Sequence, residues 1–147
     1  MHYRELVRHR LREIGHDNQI GYLTGSLIPA QAYYKAQKLR SLLRQQVLAA
    51  LERVDVLVLP TAGVAAQPVE PDPIVSSKAG SNRLSWLLTT TFSLASVPAL
   101  SICCGFTPQD LPIGLQLGGR PMDEATVLKV AHAYEQATPW HTRRPPI

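Results

Sequence analysis

Two groups of side chains have the types and spacing that could support chemistry, a row of histidines and a pair of cysteines. His2, His9 and His16 recur every seven residues. The rise of a helix would separate neighbours in such a row by roughly 10 Å, too far for them to share one metal ion. We therefore expect solvated histidines and no metal site.

The cysteines, Cys103 and Cys104, are adjacent and close an apolar stretch. A disulfide between neighbours would strain the bridge geometry, so we expect reduced thiols. A thiol nucleophile is one hypothesis, and it requires His132 or His141 beside the sulfur. Core packing is the favoured interpretation, because free cysteine is among the most buried residue types.

The sequence lacks the common nucleophile, zinc and phosphate motifs: G-x-S-x-G, H-E-x-x-H, the P-loop and G-x-G-x-x-G. Its basic character belongs to residues 1–53, which hold nine Lys/Arg against four Asp/Glu. Arg4, Arg8 and Arg12 would form a stripe on one helix face. Like charges in such a stripe are usually solvated surface, so nucleic-acid binding is a minor alternative.

Length and composition bound the class of protein. The chain has 147 residues, of which 45% are hydrophobic and 18% charged, and a net charge of +4. These values suit one soluble domain over 1–147 that needs no disulfide framework. No run approaches the roughly 20 apolar residues of a membrane span, and the N-terminus has no export signal. We expect a cytoplasmic protein.

Hydrophobic periodicity and turn residues predict the elements that would position these side chains. In order, these are helices over 3–14 and 30–53, a strand over 55–60, a long loop over 60–82, a helix over 83–95, strands over 99–106 and 113–118, and a last helix after Asp123. The first helix is expected to break at Gly15, Asp17, Asn18 and Gly21. The order predicts an α/β fold with helices packed on a mixed β-sheet.

Three of these elements carry sharper expectations. The longest helix has an apolar stripe running from Ala32 to Val54. The run DVLVLP has no polar alternation, which predicts a strand buried on both faces. The last helix has Asp123 as its expected N-cap. Its expected buried stripe is Val127, Val130, Ala131 and Tyr134.

The segments PALSICCGF, at 98–106, and LPIGLQLGGRPMDEATVLKVAHAYEQAT, at 111–138, carry a family pattern. They closely resemble the C-terminal part of the amidase signature family, the serine hydrolases of linear amides. That part typically reads Pro-Ala-x-Ser-x-Pro-Cys-Gly, Leu-Pro-x-Gly-x-Gln, Gly-Arg-Pro-x-x-Glu-x-x-x-Leu and a helix ending Ala-Tyr-Glu. The matching residues are Pro98, Ala99, Ser101, Cys104, Gly105, Leu111, Pro112, Gly114, Gln116, Gly119, Arg120, Pro121, Glu124, Leu128, Ala133, Tyr134 and Glu135.

The resemblance continues upstream. A helix with Tyr33, Ala36, Gln37 and Arg40, followed by DVLVLPT, is similar to the family's Tyr-x-x-Ala-x-x-x-Arg helix and Asp-x-x-x-x-Pro-Thr strand. The resemblance therefore implies a partial amidase signature fold. It also implies that Cys104 matches a family cysteine that is not the nucleophile.

The same resemblance implies the reaction of the intact enzyme. Family members hydrolyse linear amides through an acyl-serine intermediate, using two serines and a lysine and no metal or organic cofactor. Their serines lie in a GGSSGG-type segment, which this sequence lacks. We therefore assign no catalytic residue here and expect a C-terminal segment that is inactive alone.

Three residues are expected to line a substrate pocket, namely Trp86, Thr90 and Phe92. For Trp86 an ordinary core position is the open alternative, because tryptophan is usually well buried. In amidotransferase members of the family, an acid that pairs with the substrate's ammonium occupies the position matching Trp86. An indole cannot neutralise that charge, so an uncharged or apolar amide is expected. The family also commonly has Asn-Leu-x-Gly-x-Pro where this chain has Ser93 and Ser96 in place of the Asn and Gly.

The expected partner is the missing catalytic core, in the same enzyme or on another chain. A homodimer is expected as well, because a piece of a larger sheet exposes strand edges and apolar surface. Two alternatives stay open. One is a non-catalytic interaction module, and the other is a fragment of a tRNA-dependent amidotransferase.

Overall fold

The structure, a computed structural model, describes residues 2–66, 68 and 88–144. Its elements are helices α1 (His2–His9), α2 (His16–Ser26), α3 (Ala30–Leu51), α4 (Thr90–Ala95) and α5 (Glu124–Ala137), strands β1 (Val56–Pro60), β2 (Ala99–Phe106) and β3 (Pro112–Gly119), and 3₁₀ turns at Leu11–Glu13 and Trp140–Thr142. Most of the predicted loop over 60–82, and the start of the helix predicted over 83–95, lie outside the described residues. The part of the chain that is described contains no helix long and apolar enough to cross a membrane.

Contacts divide the chain into two compact units, Met1–Leu39 and Arg40–Ile147. That they fold together as the single domain expected from the length stays a prediction. The first unit contains α1, α2 and the start of α3. The helix predicted over 3–14 ends at His9 and is followed by the 3₁₀ turn. Of the predicted breaking residues, Gly15 does separate two helices, but Asp17, Asn18 and Gly21 lie inside α2, which begins at His16.

The start of α2 has a local physical reason. Gly15 is extended, and its carbonyl accepts hydrogen bonds from Asn18 N and Gln19 N at 2.9 and 3.1 Å. The glycine thus serves as an N-cap and does not stop the helix. Gly21 lies inside α2, where it costs about 1 kcal/mol relative to alanine without preventing the helix.

The second unit is built on a three-stranded sheet in the order β1-β3-β2, with both pairings antiparallel. The α/β class is confirmed, but the described strands form no parallel pair of the kind a mixed sheet contains. The connection over 107–111 between β2 and β3 is short, and strands joined in this way pair antiparallel, so these two strands form the predicted hairpin. A bulge between Cys103 and Gly105 shifts its register.

Helices cover both faces of this sheet. On one face, α5 buries Val127 and Ala131 against Ile102 and Leu117. Asp123 caps α5 as predicted, accepting hydrogen bonds from the backbone N–H and the hydroxyl of Thr126. Val130 and Tyr134 pack against the same cluster as Val127 and Ala131, so the expected buried stripe of α5 is confirmed.

The opposite face packs against the end of α3 and against α4. Val47 and Leu51 of α3 and Ala95 of α4 form a buried cluster, and Leu57 of β1 packs on it. Arg120, which follows β3, donates to the carbonyls of Leu51 and Val54 at 3.0 and 3.1 Å. These bonds satisfy carbonyls at the C-terminal end of α3. The helix ends at Leu51, two residues before the end predicted from the sequence.

Two burial expectations are wrong. Val58 is 51% exposed, although β1 was expected to be covered on both faces. The reason is that α5 packs mainly on β2 and β3 and leaves the edge strand open. In α3 the apolar stripe is packed only from Leu43 onward, and Val54 is exposed.

Candidate functional site

The predicted pocket residues lie at or near helix α4. Trp86 lies outside the described residues. Thr90 begins α4 and is half-buried, while Phe92 is 1% exposed. The ring of Phe92 lies directly on Gly118 of β3, where a Cβ atom would overlap it. A pocket-lining role for these three residues stays a prediction.

The C-terminal end of α4 is held by two arginines of α3. Arg40 Nε donates to the carbonyl of Leu94 at 2.9 Å, and its Nη2 donates to Ser96 Oγ at 2.6 Å. Arg44 donates to the carbonyls of Ala95 and Ser96. Two guanidinium groups therefore satisfy carbonyls that have no partner within so short a helix.

The other end of α4 is tied to the sheet by a buried amide. Gln116 of β3 is 5% exposed, and its Nε2 donates to the carbonyl of Leu88, just before the helix, at 3.3 Å. Side chains from two elements thus fix both ends of α4. Arg40 and Gln116 belong to the quoted family motifs, but Arg44 does not. Sequence reasoning missed their shared role, because nothing local in the sequence links α3 or β3 to α4.

Ser96 ends α4 in the left-handed conformation, with φ 52° and ψ 53°. This is the position where the resembled family commonly has glycine. A left-handed backbone costs a residue with a Cβ about 1 to 2 kcal/mol relative to glycine. The serine hydroxyl compensates in part through its hydrogen bond from Arg40.

This geometry gives opposite expectations for two substitutions. Ser96→Gly removes the strain and should raise the free energy of unfolding by up to about 1 kcal/mol. Ser96→Ala keeps the strain, loses the hydroxyl and should lower that free energy. Urea unfolding of both variants checks the signs, and equal shifts in one direction would rule out left-handed strain at this residue.

The cysteines lie half-buried near the end of β2, and both are free. Cys103 Sγ donates to the carbonyl of Gly105 at 3.4 Å. Burial, followed by the charge of the neighbouring Cys103, raises the pKa of the Cys104 thiol. His132 and His141 are both exposed. This environment disfavours the thiolate that nucleophilic chemistry needs.

Alkylation should therefore be slow at neutral pH, and the modification rate at Cys104 should keep rising above the pH at which an ordinary cysteine ionises. A raised pKa means that less thiolate is present at any given pH. Mass spectrometry of iodoacetamide-treated native protein measures this directly. Rapid labelling of Cys104 at neutral pH would restore the thiol-nucleophile hypothesis.

The described residues offer no metal centre. Among them, no group of three or more His, Cys, Asp or Glu side chains is placed to hold a metal ion. Near the N-terminus, Arg10 pairs with Glu13, and His9 Nε2 lies 3.4 Å from Glu5 Oε2. Part of the basic surface there is thus neutralised by its own carboxylates.

Similarity to known proteins extends over most of the chain. The Amidase family model matches residues 6–128. The A-type subunit of glutamyl-tRNA(Gln) amidotransferase from Cyanothece sp. is 52% identical over 120 residues, covering 79% of this chain and 24% of the relative. The same protein of Thermodesulfovibrio yellowstonii is 44% identical over 119 residues, covering 78% of this chain and 23% of the relative. The chain thus spans about a quarter of the length of these curated relatives.

Solved structures give the same result for the fold. The crystal structure of the A-type glutamyl-tRNA(Gln) amidotransferase subunit from Thermotoga maritima matches 87% of this chain and 29% of its own, with a TM-score of 0.63 and 27% identity. A crystal structure of an amidase matches 92% of this chain and 31% of its own, with a TM-score of 0.72 and 24% identity. The sequence and fold together establish that this chain belongs to the amidase family.

Proposed function

We propose that the chain is the C-terminal portion of an amidase-type hydrolase that cleaves the C–N bond of linear amides. The observation that carries this proposal is the family match over residues 6–128, which corresponds to about a quarter of each curated relative. The order of the quoted motifs supports the C-terminal assignment. The rest of the enzyme is then the principal partner, as part of the same protein or as a separate chain.

Within that enzyme, the portion supplies one wall of the substrate pocket, formed by Trp86, Thr90 and Phe92. The double anchoring of α4 supports this role, because a wall that orients a substrate must be rigid. The substrate is an uncharged or apolar amide, since Trp86 stands where amidotransferase members have an acid. Reaction proceeds through an acyl-serine on the other portion, without a metal or organic cofactor.

The portion alone should not hydrolyse amides, because the family's two serines and lysine come from a segment that this sequence lacks. Loss of the nucleophile removes nearly all acceleration beyond binding and oxyanion effects. A fluorophosphonate serine probe tests this on the purified chain. We expect no labelling above that of heat-unfolded protein, whereas stoichiometric labelling would refute the proposal.

Self-association follows from the open apolar surface of the second unit. Val58 is 51% exposed on the edge strand, and Leu42 of α3 is exposed as well. Exposed edges and apolar patches tend to pair with another chain, so the isolated portion should form a homodimer in the cytoplasm. Light scattering at micromolar concentration measures the mass of the isolated portion in solution. A monomer mass would rule out the homodimer.

A second candidate function has its own support, the 52% identity to an amidotransferase protein. Under this alternative the portion belongs to a tRNA-dependent amidotransferase, and the arginines of residues 1–53 face the tRNA. Binding of tRNA that weakens as salt rises would favour it, since phosphate contacts release counterions. Lack of tRNA binding even at low salt would rule out this alternative.

A non-catalytic interaction module would instead bind a partner without restoring hydrolysis.

A further inference from the structure

The first unit, Met1–Leu39, has helices but no core of its own in the part whose burial is described. Over residues 5–15 and 18–39 every side chain is exposed or half-buried, and none is buried. Short helices gain most of their stability from packing an apolar face against other structure. The described part of this unit therefore lacks the packing that normally holds such helices.

The segment 18–34, which contains most of α2 and the start of α3, has the composition of an interface. It contains no charged residue, although 18% of the whole chain is charged. It also holds three of the five tyrosines of the chain, Tyr22, Tyr33 and Tyr34. Depletion of charge and enrichment in tyrosine are typical of the centre of protein–protein interfaces.

One side of α2 carries a row of apolar side chains, Ile20, Leu23 and Leu27, which we call the apolar side of α2. Spacings of three and four residues return to the same side of a helix. All three side chains are exposed, and Leu27, at the C-terminal end of the helix, is 81% exposed. A row at i, i+3 and i+7 is the pattern with which a helix occupies an apolar groove.

The extent of the family match indicates what covers this surface. The matched residues, 6–128, include all of α2, so the surface belongs to the family domain. The curated relatives continue for about three quarters of their length outside the matched part. A polypeptide of that size can provide an apolar groove. A nucleic acid is a poor occupant, because the segment 18–34 has no cation to contact phosphates.

We propose that the apolar side of α2 is the surface through which this portion docks on the remaining portion of the amidase. Naming an amidase portion as the occupant rests on the proposed function, whereas the docking surface itself rests on exposure and composition. The partner contributes an apolar groove that accepts one helix. Docking supplies the packing that α2 lacks, so α2 becomes firmly held only in the complex.

Hydrogen exchange measured by mass spectrometry tests this, on the purified chain alone and after mixing with the remaining three quarters of the Cyanothece sp. relative. The amides of α2 should exchange rapidly in the isolated chain, because opening this helix disrupts little buried packing. In the mixture they should exchange at least about tenfold more slowly, while those of α5 change little. Folded parts that do not bind each other, or that bind without protecting α2, would overturn the proposal.

Variants of Leu27 test the apolar side directly. Leu27→Lys should leave the circular dichroism of the isolated chain unchanged, because the side chain is exposed and a cation suits the C-terminal end of a helix. It should weaken docking at least about tenfold, because the ammonium group would be buried without a partner. Leu27→Met stays apolar and should keep the affinity within about twofold.

The matched control is Gly25→Lys. It places the same charge about 160° around the axis of α2 from Leu27. No atom lies within 4 Å of the new Cβ there. This variant should therefore dock like the parent. An equal loss of affinity for Leu27→Lys and Gly25→Lys would mean that added charge, and not the apolar side of α2, decides the result, and would overturn the proposal.

Two readouts keep the docking surface and the proposed function apart. If Leu27→Lys still co-purifies with the other portion and supports hydrolysis, the surface is wrong and the proposed function stands. If the parent complex forms and protects α2 but hydrolyses no amide, the surface stands and the proposed function fails. A second copy of the chain is the other occupant to test. Light scattering that shows a parent dimer and a Leu27→Lys monomer would assign the surface to self-association and overturn the proposal.

Discussion

Replacing Gly118 by alanine is expected to lower the free energy of unfolding by about 3 kcal/mol, because the new methyl group would overlap the ring of Phe92. The ring has no easy escape. Phe92 is 1% exposed, and Ala95 one turn further along α4 has no exposed surface at all. Accommodating the methyl group therefore means lifting α4 from the sheet. Urea unfolding followed by circular dichroism measures the loss.

The chain offers a matched control in Gly25. The same change there, within α2, meets no atom within 4 Å of the new Cβ and should stabilise that helix by up to about 1 kcal/mol. Adding Phe92→Leu to Gly118→Ala should recover part of the loss, since the smaller side chain leaves room. A Gly118→Ala variant as stable as the parent would mean that α4 does not pack here.

The second large effect is expected at Arg44. Arg44→Ala leaves the carbonyls of Ala95 and Ser96 without their guanidinium partner, and Ala95 is fully buried. An unsatisfied buried carbonyl costs about 1 to 3 kcal/mol, and a six-residue helix has little stability of its own to offset this. We expect a loss near the upper end of that range, with faster amide exchange over α4.

The controls for Arg44 separate geometry from charge. Arg44→Lys keeps the charge but has no planar fork, so it should recover only part of the stability. Arg53→Ala removes an exposed arginine two residues after α3 and should change the free energy of unfolding by less than about 0.5 kcal/mol. If Arg44→Ala behaved like Arg53→Ala, the arginine would not hold α4.

The parts of the fold that depend on local chemistry could be predicted from the sequence. The β2–β3 hairpin and α5 follow from alternation, a short connection and a capping aspartate. The start of α2 was missed because Gly15 was interpreted as a stop, although a glycine before a helix can also cap it. Local patterns do not distinguish these two roles without the carbonyl geometry.

The candidate site depends on contacts that are distant in sequence. Arg40 contacts α4 across 54 residues, and Arg44 contacts it across 51. A family motif can show that a residue such as Gln116 recurs among family members. It does not show which backbone group the side chain of that residue binds. Exposure of Val58 is a similar case, because a uniform apolar run does not reveal that its strand lies at an edge.

The proposed function is tested most directly by co-expressing this chain with the remaining three quarters of the Cyanothece sp. relative, the part that it does not match. Hydrolysis of an uncharged amide is measured for the purified mixture and for each part alone. We predict that the two parts purify together and that hydrolysis appears only in the mixture. Hydrolysis by the isolated chain, or a complex that stays inactive although both parts are folded, would contradict it.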